Sequence, residues 1–403
     1  MSRLEELIQQ YCPDGVEYKK IKEVYQRIKG TPITAGKMKE IQCPDGEIRI
    51  FAGGKTVIDA NEADIPNANI TRVPAVLVQS RGVIDAIYYD KPFTFKNEMW
   101  AYTHKEQTSV KFLYYVMKQN IQHFRDAASG MGALPQISLG TTEDFSIPVP
   151  PLPVQEEIVR ILDNFAELQA ELQAELQKRL QQYNYYRDKL LSFNELNRGG
   201  QSVSVEWKKL GEIATDWYRG AGIKRDEVSE EGIPCIRYGE IHTTYNIWFD
   251  ECVSHTDENK QPAKKYADYG DILFAITSED IPFIGNSVAY IGKERILVGG
   301  DIVVMKHTQN PKYMSYVLST SDAVMQKGKG KVKSKVVHTS VPSLKEIVVP
   351  IPSLEEQERI ATILDKFYAL TTDITAGLPA EIEARRKQYE YYRDQLLTFK
   401  QKA

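Results

Sequence analysis

The densest run of cationic side chains is KGKGKVKSK, residues 327–335, where Lys327, Lys329, Lys331, Lys333 and Lys335 are interleaved with Gly, Val and Ser. On an extended ribbon, alternation puts these ammonium groups on one face, where they can neutralise successive phosphates of a nucleic acid. A solvated loop is the plainer reading of a lysine run taken alone. Arg81-Gly82, Trp217-Tyr218-Arg219 and Lys224-Arg225 set arginine beside glycine or aromatic residues on expected loops. Contacts to base edges or to the sugar–phosphate backbone need that setting. Lys55, in AGGKT, and Arg237, in CIRYG, complete the candidate DNA-binding set. Arg81 and Arg237 are the candidates for bidentate contacts to guanine. Segments 1–147 and 199–347 balance 18 basic against 18 acidic and 19 against 20 residues, so any such surface rests on local clusters.

Catalytic spellings fail on inspection. AGGKT (52–56) resembles the tail of a phosphate-binding loop, but the glycine that must open the loop falls on Arg49. A β-turn is the better reading. Pro13-Asp14 followed by Glu17-Tyr18-Lys19 imitates a metal-dependent nuclease, yet its two acids lie three residues apart in a CPDG turn. Nucleases hold such acids on neighbouring strands to clamp an ion. No adenine-methyltransferase motif occurs, no GxGxxG follows a strand, and the six histidines lack metal spacing. The chain therefore reads as non-catalytic, with no catalytic residue, metal or cofactor of its own. Its 403 residues point to at least two domains. Cys12, Cys43, Cys235 and Cys252 form no CxxC pair. With no secretory start and no apolar span of membrane length, this cysteine usage points to the cytoplasm.

The chain is written twice. PVPPLPVQEEIVRILDNFAEL (148–168) and PIPSLEEQERIATILDKFYAL (350–370) share eleven identities at an offset of 202. QYNYYRDKLLSF (182–193) and QYEYYRDQLLTF (388–399) share nine of twelve at an offset of 206. Fainter matches join VEYKKIKEV (16–24) to VEWKKLGEI (205–213), GEIRIFAGG (46–54) to GIPCIRYGE (232–240), and NEMWAYTH (97–104) to GDIVVMKH (300–307). After Pro148–Pro153, the apolar positions Ile158, Ile161, Phe165, Leu168, Leu172, Leu176, Leu180 and Tyr183 step by three and four. They predict one helix over 155–193, about 58 Å long. The second copy runs through Ile360, Ile363, Phe367, Leu370 and Ile374, then meets Gly377 and Pro379. A kink is predicted there, with helix resuming at Glu381 and ending near Phe399. One apolar stripe on so long a helix needs a partner helix, and the other copy supplies it. The globular segments read as mixed α/β, with strands in 73–80 and 270–277 and a helix over 109–124.

This alternation resembles the specificity subunit of type I restriction–modification enzymes along the whole chain. The quotations that carry it are GMGALPQISLGTTEDFSIPVPPLPVQEEIVRILD (130–163) and VPSLKEIVVPIPSLEEQERIATILD (341–365). The helix ends, and the AELQ tetrads at 166–177, look most like the IC subfamily. The resemblance implies target-recognition domains at 1–147 and 199–347, each reading half of a bipartite, asymmetric DNA sequence. It implies helical spacers at 148–198 and 348–403, paired antiparallel in a pseudo-twofold duplicated chain. They would set the gap between the halves and dock two modification subunits. Those subunits would bring S-adenosylmethionine, and two restriction subunits would bring ATP and Mg. The partner-binding motif transfers onto Gln155, Glu156, Ile158, Asp163, Tyr183, Tyr186 and Arg187, and onto Gln357, Glu358, Ile360, Asp365, Tyr389, Tyr392 and Arg393. It also implies that MSRLEELIQQ lies near the carboxyl-terminal helix. The alternative is a stand-alone nuclease or methyltransferase with a helical dimerisation arm.

Overall fold

Strand Ala75–Gln79 (AVLVQ) is buried along its whole length because it is covered on both faces. Its alternate side chains part accordingly. Val76 and Val78 pack against helix Gln107–Gln119 with Phe112, Leu113 and Val116, whereas Ala75 and Leu77 join Phe51, Phe93 and Phe95 of a second sheet. This computed structural model describes residues 3–54, 56–129, 134–193, 204–261, 263–329, 336–372 and 377–402. The chain divides into two compact units, Met1–Gln173 with Ile382–Ala403, and Ala174–Glu381.

In the first unit, one antiparallel sheet runs in the order Gln26–Ile28, Trp100–Thr103, Ala75–Gln79, Asp85–Tyr89. In the second sheet, Ile48–Phe51 pairs antiparallel with Val57–Ala60 and parallel with Phe93–Phe95. The second unit repeats this plan. Ala214–Arg219, Ile302–His307, Ile272–Ala275 and Ser287–Tyr290 stand in the same order. Ile233–Ile236 runs parallel to Ile296–Val298. Ile272 and Phe274 face helix Pro311–Leu318, and Leu273 and Ala275 face the opposite core.

The duplication holds to the residue. Ala101 pairs with Ile28 and Leu77, as Val304 pairs with Tyr218 and Leu273. His104 Nδ1 accepts the Glu106 N–H and His307 Nδ1 accepts the Gln309 N–H, at 3.0 and 3.1 Å. Matching GEIRIFAGG to GIPCIRYGE as written, however, is wrong by one residue. Phe51 pairs with Phe95 and Ile236 with Val298, and their carbonyls accept the Lys96 and Gly299 N–H groups. Phe51 thus corresponds to Ile236, and Arg237 falls one step past the strand, opposite Ala52.

Gly30 and Gly220 follow the corresponding strands Gln26–Ile28 and Ala214–Arg219, where the chain passes close to the neighbouring backbone. A Cβ would lie 2.1 Å from the Phe95 carbonyl oxygen at Gly30, and 2.2 Å from that of Gly299 at Gly220. Backbone cannot yield there as a side chain would. Gly220→Ala is expected to destabilise its unit by about 1–3 kcal/mol through overpacking, whereas Gly239→Ala, where a Cβ meets nothing within 4 Å, should be near neutral. Urea midpoints of the two variants test this; equal midpoints would refute the close approach.

The first spacer is a single helix, Leu152–Leu191. The second comprises Leu354–Thr372 and Leu378–Leu396. Helix resumes three residues before the predicted Glu381, because Pro379 sits in the first turn, where its missing N–H is not needed. Ile374 lies outside the described residues. Phe165 stacks on Tyr392 at 5.5 Å, while Tyr183 and Tyr186 meet Tyr368 and Phe367 at 6.2 and 6.4 Å. The contacts run in opposite chain order, so the pair is antiparallel. The amino-terminal helix Arg3–Tyr11 puts Leu4 in one core with Leu397. Val16 N–H donates to Lys400 O and Val16 O accepts from Lys402 N–H, each at 2.9 Å, so the described ends of the chain are laced together.

Candidate nucleic-acid interface

In the second unit, a groove of about 840 Å³ gathers Arg219, Arg225 and Arg237 beside Gly222, Gly239 and Gly300. Each cation arrives on its own element. Arg219 ends strand Ala214–Arg219; its Nη2 lies 2.6 Å from Asp301 Oδ1 and its Nε donates to the Gly300 carbonyl. Arg237 precedes helix Tyr238–Thr243, whose first turn carries Glu240. Glu240 accepts the Arg237 backbone N–H at 2.9 Å and its Nη2 at 3.3 Å, while the buried Arg237 Nε has no partner among the described residues. Glu240 is itself buried and accepts Ser254 Oγ at 2.6 Å, so the arginine fork is held from behind. Arg225, in the short turn Arg225–Glu227, is exposed and makes no side-chain bond among the described residues. Lys224 stands beside it, 3.7 Å from Glu227.

The first unit has a hollow of about 610 Å³ at the corresponding place, lined by Lys29, Gly30, Asn69, Asn97, Glu98 and Gln136. Lys29 corresponds to Arg219, and Glu98 to Asp301, in the shared register. Here Glu98 takes Lys96 instead, at 2.9 Å, leaving Lys29 exposed and unpaired among the described residues. At its rim Arg81 bridges Gln136 through the backbone, and Gly54 N–H donates to the Arg81 carbonyl. The Arg81 side chain is exposed. Lys55 lies outside the described residues. Lys29, Asn97 and Gln136 escaped the sequence reading. The available signal was the basic-glycine pair, Lys29-Gly30 and Arg219-Gly220, at matching strand ends.

The first lysine of the run turns inward. Lys327 closes helix Ser321–Gly328 and is buried, its ammonium donating to the Leu318 carbonyl at 2.8 Å and Ser287 Oγ at 3.2 Å. It is therefore removed from the candidate phosphate contacts, because its helix phase turns it into the core. Lys329 is exposed at the helix end. Lys331, Lys333 and Lys335 lie outside the described residues. Burial pushes the Lys327 amine down to about 7 from its ordinary 10.5. Between those values the unfolded chain holds a proton that the folded chain has released, so stability rises with pH. Below about 7 the penalty is fully in place. The urea midpoint is expected to rise from pH 7 to 9, and Lys327→Met should flatten that rise; parallel profiles would show that Lys327 does not titrate there.

The spacer motifs face two ways. Gln155 donates to the Pro150 carbonyl at 2.6 Å, and Gln357 to that of Pro352 at 2.9 Å, each tying a helix to the strand before it. Ile158 and Ile360 are fully buried. Asp163 accepts Tyr115 OH and pairs with Lys111 at 2.8 Å. Asp365 accepts Tyr316 OH at 2.6 Å and Trp248 Nε1 at 3.1 Å, and pairs with Lys312 at 2.7 Å. These six side chains bind each helix to its own unit; burial removes Gln155, Ile158, Gln357 and Ile360 from the partner contacts, whereas Asp163 and Asp365 stay partly exposed. Tyr183 and Arg187 are buried against each other. Arg393 lies over the Tyr389 ring and pairs with Asp394 at 2.8 Å. Glu156, Tyr186, Glu358 and Tyr392 remain exposed. So do Tyr185 and Tyr391, which the transferred motif left out. Among the described residues no cluster of His, Cys, Asp or Glu could hold a metal, and no helix is long and apolar enough to cross a membrane.

Known proteins carry the same pattern. A family model described as type I restriction modification DNA specificity domain matches residues 13–182 and again 203–384. The EcoR124I/EcoR124II specificity subunit of Escherichia coli, a type I restriction enzyme component, is 36% identical over 73% of this chain and 72% of its own. The S subunit of a type I restriction–modification system from M. genitalium has the same fold, with a TM-score of 0.52, 18% identity and 95% of each chain covered. A chain from a study of type I complex assembly and conformational transition gives 0.54 at 15% identity, covering 96% of this chain and 98% of its own.

Proposed function

The chain belongs to the type I restriction–modification DNA specificity family, and we propose that each of its two units reads one half of a bipartite, asymmetric double-stranded DNA target. It is the non-catalytic recognition component of such a complex. The observation that carries the reading is the pair of corresponding hollows, each with a basic side chain at the same strand end, Lys29 and Arg219. A chain of net charge −4 needs such local clusters to meet phosphates. Different residues around the same backbone frame give two halves that need not match. The spacer helices set the unread gap and dock two modification subunits, and Glu156, Tyr186, Glu358 and Tyr392 are the exposed ones among the transferred side chains. S-adenosylmethionine arrives with those subunits, and ATP and Mg with two restriction subunits. The test is genome-wide mapping of methylated adenines in a host carrying this chain with its modification subunit. A split motif with two unrelated halves is expected, and none with either protein alone. One uninterrupted motif, or methylation by this chain unaided, would overturn the reading.

A further inference from the structure

The two hollows differ in what they can say to a base. In the first, Asn97 and Gln136 are exposed, both line the hollow and make no side-chain hydrogen bond among the described residues. Each offers an acceptor and a donor side by side, and neither carries charge. That pair matches the adjacent N6–H donor and N7 acceptor of adenine in the major groove. It cannot neutralise a phosphate. In the second unit the corresponding positions are Gly300, which lines the hollow, and His338, which does not, because Asn97 and Gly300 each precede by four residues the paired Ala101 and Val304, and Gln136 bridges Arg81 as His338 pairs with Thr277. The amide pair is gone. Arg219 and Arg237 have part of their forks taken by Asp301 and Glu240, and Arg225 keeps its whole fork. A Cβ at Gly222 or Gly239 would meet nothing within 4 Å, so the wall beside Arg225 is open to a base edge. A free guanidinium on such a wall matches the O6 and N7 acceptors of guanine.

We propose that Asn97 and Gln136 specify an adenine in the half-site of the first unit, and that Arg225 specifies a guanine in the half-site of the second. This rests on the reading of each unit as a half-site reader. The experiment compares methylated motifs, and binding by the full chain with its modification subunit, for Asn97→Ala, Gln136→Ala, Arg225→Ala and Lys29→Ala. All four side chains are exposed, and an unchanged thermal midpoint certifies each fold. Asn97→Ala or Gln136→Ala should relax one adenine of one half-site by roughly 5- to 150-fold and leave the salt dependence of binding unaltered. Arg225→Ala should relax one guanine of the other half by a similar factor. Lys29→Ala should instead weaken all sequences alike and flatten the salt slope by about one unit. Unchanged half-sites, a uniform loss, or relaxation at any other base would overturn the assignment. A wild-type motif that is not bipartite would instead defeat the underlying reading, so the two failures are distinguishable.

Discussion

Deleting Ala170–Gln173 is expected to shorten the unread gap between the half-sites by one base pair and to leave both half-sites unchanged. The offset between the copies grows from 202 to 206 along the spacers, so the second carries four residues more than the first. Ala170–Gln173 are the middle one of three AELQ tetrads, at 166–177 of the first spacer. They lie inside the unbroken helix Leu152–Leu191, at the boundary where one unit gives way to the next after Gln173. Ala170, Glu171 and Gln173 are exposed and Leu172 is half-buried, so removal opens no core. Leu176 then follows Leu168 at the spacing Leu172 had, and the apolar stripe survives. The helix shortens by about 6 Å and turns by about 40°. DNA advances about 3.4 Å per base pair and turns about 35°. Rotation matches one base pair closely and translation allows one or two, so one satisfies both. Methylome sequencing of the deletion strain decides the matter: an unchanged gap, or new bases in either half, would mean that these helices do not set the spacing.

The helical half of the molecule was legible because its constraints are local and repeated. A stripe of Ile158, Ile161, Phe165 and Leu168 needs only the helical period, and two copies of it leave little freedom. The recognition units were harder for a physical reason. The strand leading to Arg219 carries a register shift between Ala214 and Asp216, which makes room for one extra residue, Thr215. The offset of 189 that joins Glu17 to Glu206 thereby becomes 190 at Gly30 and Gly220. A bulge of this kind is invisible to ungapped matching, and it concealed Lys29 as the counterpart of Arg219. The slip that set Phe51 against Arg237 has the same origin, because faint identity cannot fix a register that only strand pairing defines. The lysine run misled differently. Alternation was read as a ribbon, but the structure puts Lys327 in the last turn of helix Ser321–Gly328, whose phase turns its side chain into the core.

Asp365→Ala is expected to destabilise the second unit by about 2–4 kcal/mol, more than the equivalent Asp163→Ala does the first. The Asp365 carboxylate is where helix Leu354–Thr372 is joined to helix Pro311–Leu318 and to strand Trp248–Phe249 by polar bonds. It receives three donors, from Lys312, Tyr316 and Trp248, whereas Asp163 receives two, from Lys111 and Tyr115. Burial first, and the carboxylate beside it second, hold the Tyr316 hydroxyl in its protonated form, so it must donate. With Asp365 gone, that buried hydroxyl has no acceptor, and unmet donors of this kind cost about 1–3 kcal/mol. Lys312 remains partly exposed and can return to water, which caps the total below that of a fully buried pair. Asp365→Asn should cost less, since an amide oxygen still accepts from Tyr316 while the charge opposite Lys312 is lost. Three of the four tryptophans, Trp207, Trp217 and Trp248, belong to the second unit, so urea unfolding followed by tryptophan fluorescence reads it directly. Pairing Asp365→Ala with Tyr316→Phe isolates the shared bond, because the double variant no longer carries an orphaned hydroxyl and should recover part of the loss. Additive losses, or a cost for Asp365→Ala below that of Asp163→Ala, would mean that apolar contacts through Ile360 and Leu364 hold this helix and that the aspartate does not.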